Sequence, residues 1–424
     1  MLQLTYIREN TEKVIKGLQK RHFAEAETAI GQAIALDNQR KRTQLELDNT
    51  NNRAKTLAGE IGALMKSGQK AVAETAKAET SALKTKAKEL EDLLKSTERE
   101  LTALLYTIPN VPSELVPQGR VAEDNEVVKQ VGQWPELPET ALPHWELIKK
   151  YDIIDFELGT KITGAGFPVY KGKGARLQRA LVNFFLDEAL AAGYTEIQPP
   201  ILVNEASGFG TGQLPDKEGQ MYFATEDGLY LIPTAEVPIT NLYRDVILKK
   251  EDLPIKNAGF TPCFRREAGS WGAHVRGLNR LHQFDKVEIV QVQHPEKSYA
   301  SLDQMCAHVE SLLTKLGLPF RILRLCGGDM SFASALTYDF EVYSAAQKRW
   351  LEVSSVSNFE TFQANRLKLR FKGEDGKTQL LHTLNGSALA LPRIVASLLE
   401  NNQTPEGIQI PEVLRPYTGF DQIT

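Results

Sequence analysis

The chain has 424 residues, which is longer than one compact core usually accommodates, so its length predicts two domains. Its 50 Lys and Arg residues nearly balance its 54 Asp and Glu residues, for a formal net charge of −4. This balance excludes a surface that is basic throughout, so any contact with nucleic acid must come from a local patch.

Cysteine usage and the amino terminus both favour a reducing, cytoplasmic location. Cys263, Cys306 and Cys326 are far apart and odd in number, with no C-x-x-C spacing, so we expect neither disulfides nor a zinc site. Charged residues such as Arg8 and Glu9 stand where a signal peptide would need an apolar run. No segment approaches the roughly 20 apolar residues of a membrane span.

Residues 28–105 have the composition of a long helical hairpin. They are rich in Ala, Lys, Glu, Gln and Leu and contain no proline. A short break at Ser67 and Gly68 predicts two antiparallel helices, which form an arm roughly 50 to 60 Å long. Arg40, Thr43 and Thr50 are expected to interrupt the apolar seam. The seam positions, spaced by three and four as in a coiled coil, are Ala33, Leu36, Leu47, Ala54, Leu57, Ile61 and Leu64, then Leu83, Ala87, Leu90, Leu94, Leu101 and Leu104.

The arm carries a slight excess of positive charge. Twelve Lys or Arg residues lie between Arg40 and Lys95, against eight Asp or Glu residues. A solvated helix face explains this excess as well as RNA binding does, because phosphate contacts need only a few well-placed cations.

Prolines 109, 112 and 117 end the arm and predict a linker, which divides the chain into domains 1–108 and 109–424. In the larger domain, Ala175–Ala192 is predicted to be a helix that ends before Gly193. The following "TEIQPPILV" is predicted to be a strand. Its prolines, Pro199 and Pro200, indicate an edge or bulged strand.

The stretch from Pro262 to Glu288 is the most informative one. Two extended segments, Cys263–Glu267 and Leu281–Val292, enclose the loop 268–280 and predict an antiparallel hairpin. Alternation places Arg265 and Glu267 on one face, and likewise Phe284, Lys286 and Glu288. Phe284 and Glu288 then stand roughly 13 Å apart, about the length of an aminoacyl-nucleotide. Arginine binds phosphate oxygens through two hydrogen bonds, so the density of arginines favours a triphosphate clamp over ordinary surface residues.

This hairpin resembles motif 2 of class II aminoacyl-tRNA synthetases, and its particular residues resemble those of the bacterial-type seryl-tRNA synthetase family. Four further segments share the resemblance in order and spacing, whereas no class I signature is present. The resemblance implies an α+β fold, with an N-terminal antiparallel coiled-coil arm and a mainly antiparallel β-sheet flanked by helices. It also implies a homodimer, with Pro200 in motif 1. The four segments are "GFGTGQLP" (208–215), "PTAEVP" (233–238), "LEVSSVSNFETFQANR" (351–366) and "HTLNGSALALPR" (382–393).

The resemblance also implies the site residues. Arg265, Glu288 and Arg393 would be catalytic. An ATP-bound Mg²⁺ would be held by Glu352 and Ser355. The serine-binding residues would be Thr234, Ala235, Glu236, Glu288, Asn385 and Ser387. The ATP-binding residues would be Arg265, Arg266, Glu267, Arg280, Phe284, Glu352, Val353, Ser354, Ser355 and Arg393.

From the residues alone, simpler interpretations stay open: Arg393 can be a helix cap, Glu352 an ordinary strand carboxylate, and "PTAEVP" a turn. The chain departs from the family pattern at Ala388 and Pro392, and Trp271 is unusually large for its loop.

The implied reaction is ATP-dependent activation of L-serine and transfer of serine to tRNA(Ser), with tRNA(Sec) as an open second acceptor. Through this resemblance, the arm would bind the tRNA. Three rivals remain: a paralogue that charges a carrier protein, a coiled-coil interaction protein with an inactive domain, and a class II synthetase for another small amino acid.

Overall fold

The structure is a computed structural model that describes residues 1–216, 218–267, 272 and 275–424. Trp271, with its predicted loop role, lies outside the described residues. Contacts group the chain into two units, one formed by 2–19 and 23–109, and the other by Met1, 20–22 and 110–424. We call them the arm unit and the sheet unit.

The helices are α1 Leu4–Glu9, α2 Thr11–Lys20, α3 Ala26–Lys66, α4 Lys70–Thr107, α5 His144–Lys150, α6 Phe156–Ile162, α7 Gly172–Ala191, α8 Glu205–Thr211, α9 Glu236–Asn241, α10 Ser298–Lys315, α11 Thr361–Leu367, α12 Leu391–Asn401 and α13 Arg415–Thr418. Among the described residues, no helix has the length and apolar character needed to cross a membrane.

The strands are β1 Glu126–Val131, β2 Ile154–Asp155, β3 Val169–Tyr170, β4 Thr195–Glu196, β5 Leu202–Val203, β6 Phe223–Ala224, β7 Leu229–Leu231, β8 Ile247–Leu248, β9 Ile255–Phe264, β10 Gln283–Gln293, β11 Phe320–Arg324, β12 Leu336–Ser344, β13 Arg349–Glu360, β14 Arg370–Lys372, β15 Thr378–Leu380, β16 His382–Ala390, β17 Gln403–Thr404, β18 Gly407–Gln409 and β19 Gln422–Ile423.

In the arm unit, α3 and α4 pack against each other along their length, as the apolar spacing predicts. Leu47 packs with Ala87 and Leu90 in the middle of the seam. Two ion pairs cross between the helices, from Lys86 to Glu46 at 2.6 Å and from Arg53 to Glu79 at 3.1 Å. Because the partner numbers fall on α4 as they rise on α3, the helices are antiparallel. The predicted hairpin is therefore confirmed.

The prediction that Thr43 and Thr50 interrupt the seam is wrong, because both side chains are buried in it. Thr80 and Thr97 occupy buried positions on α4 in the same way. The hydroxyls of Thr50, Thr80 and Thr97 each donate to the carbonyl four residues earlier, at 2.7, 2.7 and 2.9 Å. This local hydrogen bond satisfies the hydroxyl, so threonine can occupy the seam without an unpaired polar group.

Asp37 is also buried in the arm unit, where it binds three cations. Arg8, Arg40 and Lys41 lie 2.8, 2.9 and 2.9 Å from its carboxylate. Burial acts to raise the pKa of Asp37, but hydrogen bonds from Lys41, Arg40 and Arg8 outweigh it and lower that pKa to about 2. Arg40 leaves the seam to pair with this carboxylate.

The sheet unit is built on an eight-stranded sheet with the strand order β1-β11-β12-β13-β16-β10-β9-β4. Every neighbouring pair in it is antiparallel except β4 and β9, which are parallel. Helices α7, α10 and α12 pack against this sheet and share its apolar core. The predicted α+β class and mainly antiparallel sheet are confirmed.

The hairpin of β9 and β10 exists, but its first strand differs from the prediction. It begins at Ile255 and ends at Phe264, not at Glu267. Glu267 has a φ of 49°, which turns the backbone away from the strand. Arg265 and Glu267 both lie beyond the end of β9, so the prediction that they share a strand face is wrong. No residue of β9 is exposed, so the alternation of apolar and polar residues that marks a strand with one solvent face is weak there.

The segment around Pro199 and Pro200 is not one strand. It forms the short strands β4 and β5, separated by residues 197–201. Proline lacks the N–H group that a ladder needs, which explains the interruption. The helix predicted at Ala175–Ala192 is confirmed as α7, and Gly193 follows it with a φ of 83°.

Candidate active site

One face of β10 and the neighbouring strand β16 carry a cluster of buried polar side chains. Glu288 of β10 lies directly opposite Ser387 of β16. Because burying a polar group is costly without a partner, such a cluster must be internally paired. We call it the polar pocket: Thr234, Glu236, Lys286, Glu288, Gln363, Thr383, Asn385 and Ser387, all buried.

Glu236 is the pocket carboxyl group held by neutral donors. Gln363 Nε2 donates to Glu236 Oε1 at 2.6 Å, and Asn385 contributes another hydrogen bond. Gln363 is itself fixed, because its Oε1 accepts from Thr383 Oγ1 at 2.6 Å. Burial, and then the charge of Glu288, raises the pKa of Glu236 to about 7. A small change in its surroundings can therefore decide whether Glu236 is charged.

Lys286 supplies the positive charge in the pocket. Its Nζ donates to Thr234 Oγ1 at 2.9 Å and lies 2.7 Å from Glu288 Oε2. The contact with Glu288 is an ion pair that lacks hydrogen-bond alignment, so Oε2 makes no hydrogen bond. Strand alternation predicts the shared face of Lys286 and Glu288 correctly, but the sequence interpretation gave Lys286 no role.

The start of α9 brings Thr234 and Glu236 together. They are not in an extended segment, because Ala235 has helical backbone angles and Glu236 begins α9. Thr234 Oγ1 accepts from the backbone N–H of Glu236 at 3.3 Å, which is the hydrogen bond of a threonine turn. The side chain of Ala235 packs in a small apolar cluster with Ile239 and Val290.

Arginines and Phe284 occupy the other end of this face. The Arg265 guanidinium lies 5.3 Å from the centre of the Phe284 ring, and its Nε donates to Pro233 O at 3.4 Å. Arg280 Nη1 donates to Glu267 Oε2 at 2.5 Å. Arg266 lies over the Tyr222 ring at 5.6 Å. Arg265 is thus close to the Phe284 ring, and Arg280 is close to Glu267.

Arg393, the third residue of α12, joins separate segments. Its Nε donates to Asn279 O at 3.1 Å and its Nη1 to Glu352 O at 2.6 Å. Glu352 Oε2 lies 3.6 Å from the same nitrogen. Pro392 occupies the first turn of α12, where a missing N–H costs little, and Ala388 is fully buried in the core. The fold therefore accommodates both residues that depart from the family pattern.

The predicted cation ligands share a face because of a bulge in β13. Ser355 lies opposite Asp339, and Glu352 lies opposite Glu341, with a register shift between the two pairs. Asp339 and Glu341 are two apart in β12, so they and their partners point the same way. Val353 is buried in the core, and Ser354 Oγ donates to Ser387 O at 2.6 Å.

Asp339 makes this face suitable for a cation. Burial, and then the charge of Glu352, raises the pKa of Asp339 well above its usual range, although Ser355 donates a hydrogen bond to it. Its Oδ1 is buried and has no hydrogen-bond partner. Mg²⁺ prefers oxygen ligands and binds through one or two carboxylates with substrate phosphates, which fits Glu352 and Ser355. In the described parts of the chain, no cluster of three His, Cys, Asp or Glu side chains forms a metal site.

A buried His144–Glu400 pair anchors the loop end next to Arg280. His144 Nδ1 lies 2.7 Å from Glu400 Oε1, and His144 Nε2 accepts from the Leu278 N–H at 2.9 Å. Gly277 has a φ of 67°, and a Cβ there would come within 2.3 Å of His144 Nε2. The sequence interpretation missed this anchor because its members are more than 100 residues apart.

Comparisons with known proteins show which family the chain belongs to. Residues 222–402 match the family model of the "tRNA synthetase class II core domain (G, H, P, S and T)", and residues 1–112 match the "Seryl-tRNA synthetase N-terminal domain". The chain is 48% identical to the serine--tRNA ligase of Salinibacter ruber, over 100% of this chain and 99% of that one. It is 46% identical to that of Chlorobaculum parvum, over 100% of both.

Two solved structures are also similar over 100% of this chain and 99% of theirs. The seryl-tRNA synthetase of Pyrococcus horikoshii, complexed with ATP, has 31% identity and a TM-score of 0.94. The cytoplasmic serine--tRNA ligase of Naegleria fowleri, in complex with AMP, has 29% identity and a TM-score of 0.87. The chain belongs to the seryl-tRNA synthetase family.

Proposed function

We propose that this site joins L-serine to ATP and then transfers serine to the 3′ end of tRNA(Ser). In the first step, the serine carboxylate attacks the α-phosphorus and pyrophosphate leaves. In the second step, a terminal ribose hydroxyl of the tRNA attacks the seryl carbonyl and AMP leaves. The observation that carries the proposal is the polar pocket at one end of the β10 face, with Phe284 and Arg265 at the other.

The arginines stabilise charge on phosphate, which is the main demand of such a reaction. Arg265 bridges the α-phosphate and the serine carboxylate, and Arg280 reaches the γ-phosphate. Adenine lies between Phe284 and Arg393, and Glu267 accepts from its amino group. The position of Arg265 beside the Phe284 ring supports this assignment. Arg266, Val353 and Ser354 complete the ATP site.

Glu352 and Ser355 would hold Mg²⁺ together with the ATP phosphates. The ion supplies charge neutralisation on the phosphate oxygens when it is bound. The shared face of these residues and the unpaired Oδ1 of Asp339 support this assignment.

The serine pocket recognises a hydroxyl and an ammonium group at once. Ser387 and Glu288 lie opposite each other across the strand pair and bind the hydroxyl. Thr234 and Glu236 bind the ammonium, with Asn385 in support and Ala235 as part of the wall. A pocket built around a hydroxyl disfavours alanine, because alanine would leave these polar groups unpaired.

Further proposals concern the whole chain. The arm in domain 1–108 binds tRNA(Ser), and domain 109–424 forms a homodimer in the cytoplasm. The match of residues 1–112 to the seryl-tRNA synthetase N-terminal domain supports the assignment of the arm. Charging of tRNA(Sec) in a parallel reaction tests whether it is a second acceptor.

The test is ATP–pyrophosphate exchange with serine, threonine and alanine. We expect exchange with serine and at most about 1% of that rate with alanine, in line with hydroxyl-dependent pockets. Arg265→Ala should lose exchange, whereas Arg120→Ala, at an exposed arginine of the same unit, should keep it. Preference for threonine would indicate another class II synthetase, and no exchange with any of the three would refute the proposed reaction.

A further inference from the structure

Lys286 is a buried cation between two pocket groups that would face the substrate. The residue is only 5% exposed, and its ammonium contacts the Thr234 hydroxyl at 2.9 Å and the Glu288 carboxylate at 2.7 Å. A lysine buried this deeply is costly unless it is paired, so these two contacts explain how the pocket tolerates it.

The two pocket glutamates differ in their partners. Glu288 is compensated by Lys286, whereas Glu236 is held by the neutral amides of Gln363 and Asn385. The charges of Glu236, Glu288 and Lys286 sum to one negative charge when all three are ionised. That is the charge that a single substrate ammonium neutralises. Without Lys286, two buried carboxylates would repel each other.

We infer that Lys286 is a specificity-determining positioning residue of the serine pocket. Its ammonium fixes the Glu288 carboxylate as the acceptor for the substrate hydroxyl, and Glu236 is left to pair with the substrate ammonium. The inference rests on the proposed function, because it assigns a role within that serine pocket.

The test compares Lys286→Met with Lys250→Met, which removes an exposed lysine of the same unit. Methionine has a similar length but no charge, so Glu288 loses its partner. We expect serine KM in the exchange assay to rise at least about 10-fold, and the serine to alanine ratio of kcat/KM to fall by about 10-fold or more. ATP KM should stay within about twofold in both variants.

Two results would overturn the inference: an unchanged serine to alanine ratio, or an equal loss for both amino acids, which is what a merely structural role would give. If Lys286→Met fails to fold, Lys286→Arg decides. Arginine keeps the charge, so this variant should retain more than half of the wild-type serine to alanine ratio of kcat/KM. A ratio as low as that of a pocket that does not distinguish serine from alanine would contradict the inference. Absence of serine exchange in the wild-type protein would instead refute the proposed function.

Discussion

Glu236 is a carboxyl group whose ionisation falls within the working pH range. Burial and the charge of Glu288 raise its pKa to about 7, against the opposing effect of Gln363, Lys286 and Asn385. Below that pH the group is mostly neutral and cannot form an ion pair with the substrate ammonium. Serine binding should therefore weaken on the acid side.

The expected outcome is a serine KM that is lowest near pH 8 and about 10-fold higher at pH 6, one unit below this pKa. Exchange at saturating ATP measures it, with the KM for ATP recorded at each pH as the control. Glu236→Gln should raise serine KM at pH 8 and abolish its pH dependence. A wild-type KM that does not change between pH 6 and 8 would contradict this role.

Single residues were predictable where strand alternation alone decides their face. Phe284, Lys286 and Glu288 lie on one strand, so their shared face could be predicted from the sequence. The support of Glu236 by Gln363, and of Gln363 by Thr383, was not predictable, because only the folded chain brings these separate segments together. No local spacing marks such support.

At the scale of one element, helix α4 carries a basic face. Six exposed cations on it are separated by 7, 7, 4, 7 and 4 residues, which places them along one side of a helix. These are Lys70, Lys77, Lys84, Lys88, Lys95 and Arg99. On α3, three cations are paired, Arg40 and Lys41 with Asp37 and Arg53 with Glu79, whereas on the α4 face Lys77 pairs with Glu74. The α4 face is therefore the stronger candidate for RNA phosphate contacts.

Replacing Lys84 and Lys88 together by glutamate should weaken tRNA binding, because each lost phosphate contact removes counterion release. We expect the KM for tRNA in the charging reaction to rise by about 10-fold or more. The slope of log KM against log salt concentration should fall by the amount that corresponds to about two phosphate contacts. Serine exchange should not change. The matched control is Lys55→Glu with Lys66→Glu on α3, and an equal effect of that pair would refute the assignment to α4.

The apolar seam of the arm contains buried polar residues that its composition does not predict. Its three-and-four spacing predicts the hairpin, but Thr43 and Thr50 look polar in the sequence and are buried in the fold. Thr50 can occupy the seam because its hydroxyl donates to a carbonyl of its own helix, which a count of apolar residues does not include.

For the whole molecule, the two units predict separable activities. The Glu46–Lys86 and Arg53–Glu79 ion pairs fix the register between α3 and α4, so Thr43 faces Glu89. Deleting residues 44–88 and joining Thr43 to Glu89 through about three glycines shortens the arm and keeps the cations around Asp37. Removing more, as far as Asn38, would take away Arg40 and Lys41.

We expect this deletion to leave serine exchange within about twofold and to lower tRNA charging by about 100-fold or more, because the phosphate contacts of the arm are lost. Exchange and charging are measured on the same preparation, with circular dichroism to check folding. Charging at the wild-type rate would contradict the role of the arm, whereas loss of both activities would show that the units do not function separately.

The seam also sets the step by which this arm can change in length. A heptad adds about 10.5 Å to a helix, and the packed positions recur only after seven residues. An insertion in α3 alone would push its later seam residues out of register with α4. Related chains with longer or shorter arms should therefore differ by whole heptads, gained or lost in both helices together.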